Sequence, residues 1–150
     1  MTVGERIEHC IQEFVSDQIK YTPEANKDVL QFIAEILYHS GTEEKETESI
    51  RMLFRAGYCY YFAMMLQDAF PGGTICWVAP FGHIVYQYHN IEYDIEGVYD
   101  GEADSFIPIS MLGKAIDDYR HIPGREYNAT EQELANIQLR YEKERMKKGE

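Results

Sequence analysis

The amino-acid sequence predicts an α+β fold in one domain: N-terminal helices, a Cys-bearing helix packed on a small antiparallel sheet, then C-terminal helices. Three observations carry this. Apolar residues recur at helical spacing before Phe70 and again near the end. Between them, short strand-like runs from Thr74 to Ile95 are bounded by Gly and Pro. No repeat, linker or low-complexity block divides the 150 residues, a length that suits one domain with its own core.

Taken in order, Ile7, Ile11, Phe14, Val15 and Ile19 make the stripe of a first helix. Thr22-Pro23 reads as an N-cap followed by a first helical residue. Val29, Leu30, Ile33, Ile36 and Leu37 form the next stripe, stopped at Gly41. The charged stretch 42–48 is expected as an exposed loop or helical turn, with a short helix carrying Ile50, Leu53 and Phe54 towards Gly57. Cys59 then opens a helix whose Cys59, Phe62, Ala63, Leu66 and Phe70 share one face. Pro71-Gly72-Gly73 ends it. Strands follow over Thr74–Ala79, His83–Tyr88 and Ile91–Ile95, the first pair linked by Pro80-Phe81-Gly82. After Gly97, an acidic loop leads to a run over Phe106–Ile109 and a helix near Met111–Tyr119, broken at Pro123-Gly124. Thr130 and Glu133 have capping-box spacing, so a last helix runs from about Glu131 towards Lys147, with residues 140–150 as a charged tail expected to fray.

The hairpin register follows from its own pattern. With His89-Asn90 as a two-residue turn, Tyr88 pairs with Ile91, Tyr86 with Tyr93 and Ile84 with Ile95. That puts six apolar or aromatic residues on one face. His83, Val85, Gln87, Glu92, Asp94 and Glu96 fall on the other. A slip of one residue would mix the two sets. In this register Asp94 lies diagonally from His83, about 7–8 Å away at the backbone and within side-chain reach. A helix packed across that polar-looking face would deliver Cys59 to the imidazole.

The chemistry-bearing residues are therefore Cys59, His83 and Asp94. A thiol at a helix N-terminus lies where the backbone dipole favours the thiolate, the nucleophilic form. His83 would act as its base and Asp94 would fix the imidazole tautomer. The backbone N–H of Cys59 would supply one oxyanion donor. Each residue alone has a plainer reading. Cys59 could be an ordinary core cysteine, His83 a strand-end histidine, and Asp94 the cap of a turn near Gly97. Only their joint placement lifts them. Cys76 falls inside a strand and Cys10 near the first helical stripe, so both read as packing residues. Cys59, Cys76, His83 and His89 fit no standard zinc spacing, and no metal or cofactor is expected.

At these residues the chain resembles the papain-like and transglutaminase-like cysteine-enzyme superfamily. Gly57-Tyr58-Cys59-Tyr60-Tyr61-Phe62-Ala63 is similar to the Gly-Gln-Cys-Trp-Val-Phe-Ala stretch of transglutaminases and to papain's Gly-Ser-Cys-Trp-Ala-Phe. Gly82-His83-Ile84-Val85 and Tyr93-Asp94 look like that superfamily's His and Asp strands, in the same order. The resemblance covers Ala56 to Gly97. It implies a small cysteine hydrolase or acyltransferase acting on an amide or isopeptide bond of a peptide or protein substrate. Papain-type enzymes carry a glutamine shortly before the cysteine, but no Gln lies between Gln31 and Cys59.

Charge suggests a second class of function. The formal net charge is −12, and from Ile91 to Asp104 six acidic residues occur with no Lys or Arg. That opposes direct nucleic-acid binding and suits a basic protein partner. An acidic phage or mobile-element protein could use such a surface to imitate nucleic acid and block a host enzyme, on a catalytically inactive papain-like fold. The start of the chain lacks a basic, apolar leader, no run is long enough to span a membrane, and three cysteines cannot all pair, so a reduced cytoplasm is expected.

Overall fold

The computed structural model describes residues 19–40, 44–55, 58–80, 82–120 and 130–147. The first helix expected before Ile19 lies outside these, as do Cys10, Gly57 and Pro123-Gly124. The fold is a single α+β domain. Helices α1 (Lys27–Ser40), α2 (Glu44–Arg55) and α3 (Cys59–Ala69) precede strands β1 (Thr74–Ala79), β2 (His83–Tyr88), β3 (Ile91–Asp94), β4 (Gly97–Val98) and β5 (Ser105–Pro108). Two 3-10 turns, Ile109–Met111 and Gly113–Asp118, lead towards the last helix, α4 (Glu131–Lys147).

Helix α1 starts later than Thr22-Pro23 suggests. Its N-cap is Asn26, whose Oδ1 accepts the N–H groups of Asp28 at 2.9 Å and Val29 at 3.2 Å. Residues Pro23 and Glu24 form a turn instead. Helix α2 begins at Glu44, inside the stretch 42–48 expected as an exposed loop or helical turn, and runs on without a break to Arg55. Glu and Lys are strong helix formers, and charge alone does not prevent a helix with one apolar face. Thr130 caps α4 by accepting the Glu133 N–H at 3.1 Å. The helix runs to Lys147, the end its sequence predicts, and includes the first part of the charged tail. The helix expected near Met111–Tyr119 is two short 3-10 stretches, the second opened by Gly113 with a φ of +56°.

The sheet has the order β4-β3-β2-β1-β5, every neighbouring pair antiparallel. The β2–β3 hairpin has the register its pattern predicts, Tyr86 to Tyr93, Gln87 to Glu92 and Tyr88 to Ile91. His89 and Asn90 both have positive φ, 49° and 67°, as a two-residue turn of type I′ requires. Strand β3 stops one residue early. Ile95 and Glu96 turn the chain into β4, which pairs Asp94 with Gly97 and Tyr93 with Val98. The Ile84–Ile95 pair is therefore absent from the ladder, although both side chains reach the same core.

Each face of the sheet has its own cover. Ile75, Trp77, Ala79, Ile84, Tyr86 and Tyr93 pack with Phe62, Ala63 and Leu66 of α3 and with Val29, Ile33 and Leu37 of α1. The helix thus lies over the aromatic, apolar face of the hairpin, not over the polar one. An inward stripe of Phe62, Ala63 and Leu66 gains most by removing apolar area from water. On the opposite face Cys76, Val78 and Val85 are covered by Tyr99, Ala103 and Phe106. The expectation of a helix carrying Cys59 across the polar face is corrected accordingly: it is the N-terminal end of α3 that comes to His83.

Candidate functional site

Three chain segments build the site. Helix α3 begins at Cys59 after Tyr58, with no side-chain hydrogen bond capping it. Cys59 is thus the first residue of the helix, in the turn whose N–H groups have no partner within the helix. Cys59 is buried. His83 is the first residue of β2, and Asp94 is the last of β3. The antiparallel register brings those two strand ends side by side.

His83 Nε2 and Asp94 Oδ2 are 2.9 Å apart. The thiol of Cys59 lies within hydrogen-bonding reach of the same ring. Burial by itself would lower the His83 pKa. The hydrogen bond to Asp94 and then that to Cys59 outweigh burial, and the pKa is raised to about 9. The ring therefore carries a proton at neutral pH, and its Nε2–H donates to the carboxylate. The structure brings Cys59, His83 and Asp94 together.

Asp94 performs a second task with its other oxygen. Oδ1 accepts the Glu96 N–H at 2.8 Å and so caps the turn into β4. The turn-capping and imidazole-binding readings of this residue hold together, one on each oxygen.

Sequence reasoning missed Tyr99. Its ring sits 5.8 Å from the His83 ring, tilted by 31°, and meets Phe106 edge-on at 6.0 Å. Its hydroxyl donates to the Glu102 carbonyl at 3.0 Å. Tyr99 also walls a cleft of about 450 Å³ with Thr22, Glu24, His89, Asn90, Ile91, Glu92 and Val98. A signal exists in the alternation past Gly97, but β4 is so short that Tyr99 reads as part of an acidic loop.

Cys76 is apart from this site, in the core cluster on the other face. Burial pushes its thiol up to about 12, so it stays protonated and inert. Cys59 and Cys76 are both free thiols. Among the described residues, no group of three or more His, Cys, Asp or Glu is placed to hold a metal ion. Among them too, no helix is long and apolar enough to cross a membrane.

Fold and site together define an α+β domain with a cysteine, a histidine and an aspartate at one end of its sheet. A family model described as Phage YunG-like protein matches residues 33–142, and the chain belongs to that family. No curated protein and no solved structure matches the chain.

Proposed function

We propose that this phage-family protein is a small cysteine enzyme of papain-like or transglutaminase-like type, cleaving or transferring an amide or isopeptide bond. One observation carries the reading: a single imidazole holds Asp94 on Nε2 and has Cys59 within reach. Asp94 leaves the other ring nitrogen, Nδ1, for the thiol. In the reaction Cys59, its proton already given up to solvent, acts as a thiolate beside the protonated His83, and sulfur attacks the carbonyl carbon of the substrate. The resulting oxyanion accepts the Cys59 N–H at the start of the helix. His83 gives its proton to the departing amine as the carbon–nitrogen bond breaks, leaving a thioester. Water, or a second amine, then gives a proton to His83, attacks the thioester and displaces Cys59. Asp94 holds the ring orientation throughout.

The test is competitive alkylation of the native protein with iodoacetamide, mapped by peptide mass spectrometry. Cys59 should react at least about tenfold faster than Cys76, whose thiol is protonated and buried. Equal rates, or no labelling at Cys59, would sink the enzyme reading.

A second reading draws on the family match and the net charge of −12. It is an acidic interaction protein that blocks a host nucleic-acid enzyme. A nucleic-acid enzyme recovered by pull-down and inhibited equally by wild type and Cys59→Ala would select this reading. Loss of function in a folded Cys59→Ala would select the first.

A further inference from the structure

The turn that carries Asp94 is held from outside the hairpin. Strand β4 has only two residues and two register pairs, too little to fix a turn by itself. The segment Ile19–Lys20 lies alongside it. The Lys20 N–H donates to the Glu96 carbonyl at 2.7 Å, and the Lys20 carbonyl accepts the Val98 N–H at 2.8 Å. The two bonds bracket Gly97, with which Lys20 forms a parallel bridge.

Gly97 is required for that approach. Its φ is +107°, and an added Cβ would collide with the Lys20 carbonyl oxygen and lie 2.9 Å from the Lys20 nitrogen. Ile19, 1% exposed, anchors the segment in the main core. Side chains add a second link. Lys20 Nζ pairs with Asp100 at 2.8 Å and lies 3.9 Å from Glu96, while Arg55 of α2 reaches Glu96 at 3.4 Å.

The Lys20 N–H, Lys20 Nζ and Arg55 all reach Glu96, whose N–H holds Asp94 Oδ1 while Oδ2 meets His83. A carboxylate with one oxygen locked can present the other in one direction only. We infer that the Ile19–Lys20 strap is a positioning element for the proposed Cys-His-Asp centre, holding the Asp94–Gly97 turn so that the carboxylate faces the imidazole. The inference rests on the proposed function for its purpose, but its test does not use activity.

The experiment follows the His83 ring signals by NMR through a pH titration of the full chain. Gly97→Ala should lower the His83 midpoint by at least about one pH unit, a tenfold weaker hold on the proton. Lys20→Met keeps the backbone bonds and loses only exposed ion pairs, so its midpoint should stay within about half a unit of wild type. Ile19→Ala loosens the strap without entering the turn. It should shift the midpoint in the same direction as Gly97→Ala, and it carries the test if Gly97→Ala does not fold. A folded Gly97→Ala or Ile19→Ala with the wild-type midpoint would overturn the inference. Slow alkylation of Cys59 beside a strap-sensitive midpoint would remove the enzyme reading and keep the strap. Fast alkylation beside a strap-insensitive midpoint would do the reverse.

Discussion

Replacing Asp94 by Asn isolates the charge that holds the His83 proton. Asparagine keeps an oxygen for the Glu96 N–H, so the turn survives while the negative charge on His83 Nε2 is lost. In the folded protein His83 has a pKa of about 9 against an ordinary 6.5, with its side chain 19% exposed. At 1.36 kcal/mol per pKa unit, that gap corresponds to about 3 kcal/mol of linked stability. The sign follows from which state binds the proton more tightly. Here the folded state does, so the stabilisation is complete below about pH 6.5 and is lost as pH rises through about 9.

Urea unfolding of wild type and Asp94→Asn between pH 6 and pH 10 measures this difference directly. The gap between the two proteins should be widest near pH 6 and should shrink by about 3 kcal/mol by pH 10. Groups common to both proteins cancel in the comparison. The His83 midpoint in Asp94→Asn should fall back towards 6.5, because burial continues to oppose the charged ring once its strongest partner is gone. A gap that does not change with pH, or a variant midpoint still near 9, would refute the coupling of His83 to Asp94.

Two further substitutions test the scaffold. Asn26→Ala removes the cap that bonds Asp28 and Val29, and should cost about 1 kcal/mol in urea unfolding. No loss would mean that α1 does not depend on that cap. Tyr119→Phe takes away the hydroxyl that accepts the Trp77 Nε1–H at 2.6 Å, leaving a buried indole N–H without it. It should cost about 1–3 kcal/mol, read as a lower denaturant midpoint with altered Trp77 fluorescence.

Much of the sheet is legible because its signals are local. Alternation from His83 to Asp94 and the His89-Asn90 turn specify one register, and Thr74–Ala79 and His83–Tyr88 have the boundaries the pattern implies. The β3–β4 turn is half legible: Asp94 reads as the cap of a turn near Gly97, but Ile95 reads as one more apolar strand residue. What ends the strand is the Asp94 side chain bonding two residues ahead. The start of α1 is displaced from its expected place because Thr22-Pro23 carries a strong local signal, whereas the choice of Asn26 depends on tertiary contact. The Asn26 N–H donates to the Tyr93 hydroxyl at 2.8 Å, across 67 residues of sequence. The packing of α3 departs from expectation for another reason. The polar face of the hairpin carries the chemistry, but its apolar face offers the burial that seats a helix.

That correction bears on how the site is assembled. Helix α3 is held to the sheet by Phe62, Ala63 and Leu66 against Ile84, Tyr86 and Tyr93, none of which carries chemistry. Cys59 meets His83 because it is the first residue of that helix, and His83 and Asp94 stand at the ends of paired strands. Apolar packing thus sets where the thiol is, while the hairpin register sets where the imidazole and carboxylate are. The two determinants are separable. A core substitution such as Leu66→Ala loosens the helix and leaves the His83–Asp94 bond in place, whereas a change at Gly97 or Asp94 acts on that bond and leaves the helix seated. If the three residues met only through general compactness, the two kinds of change would disturb the His83 titration alike.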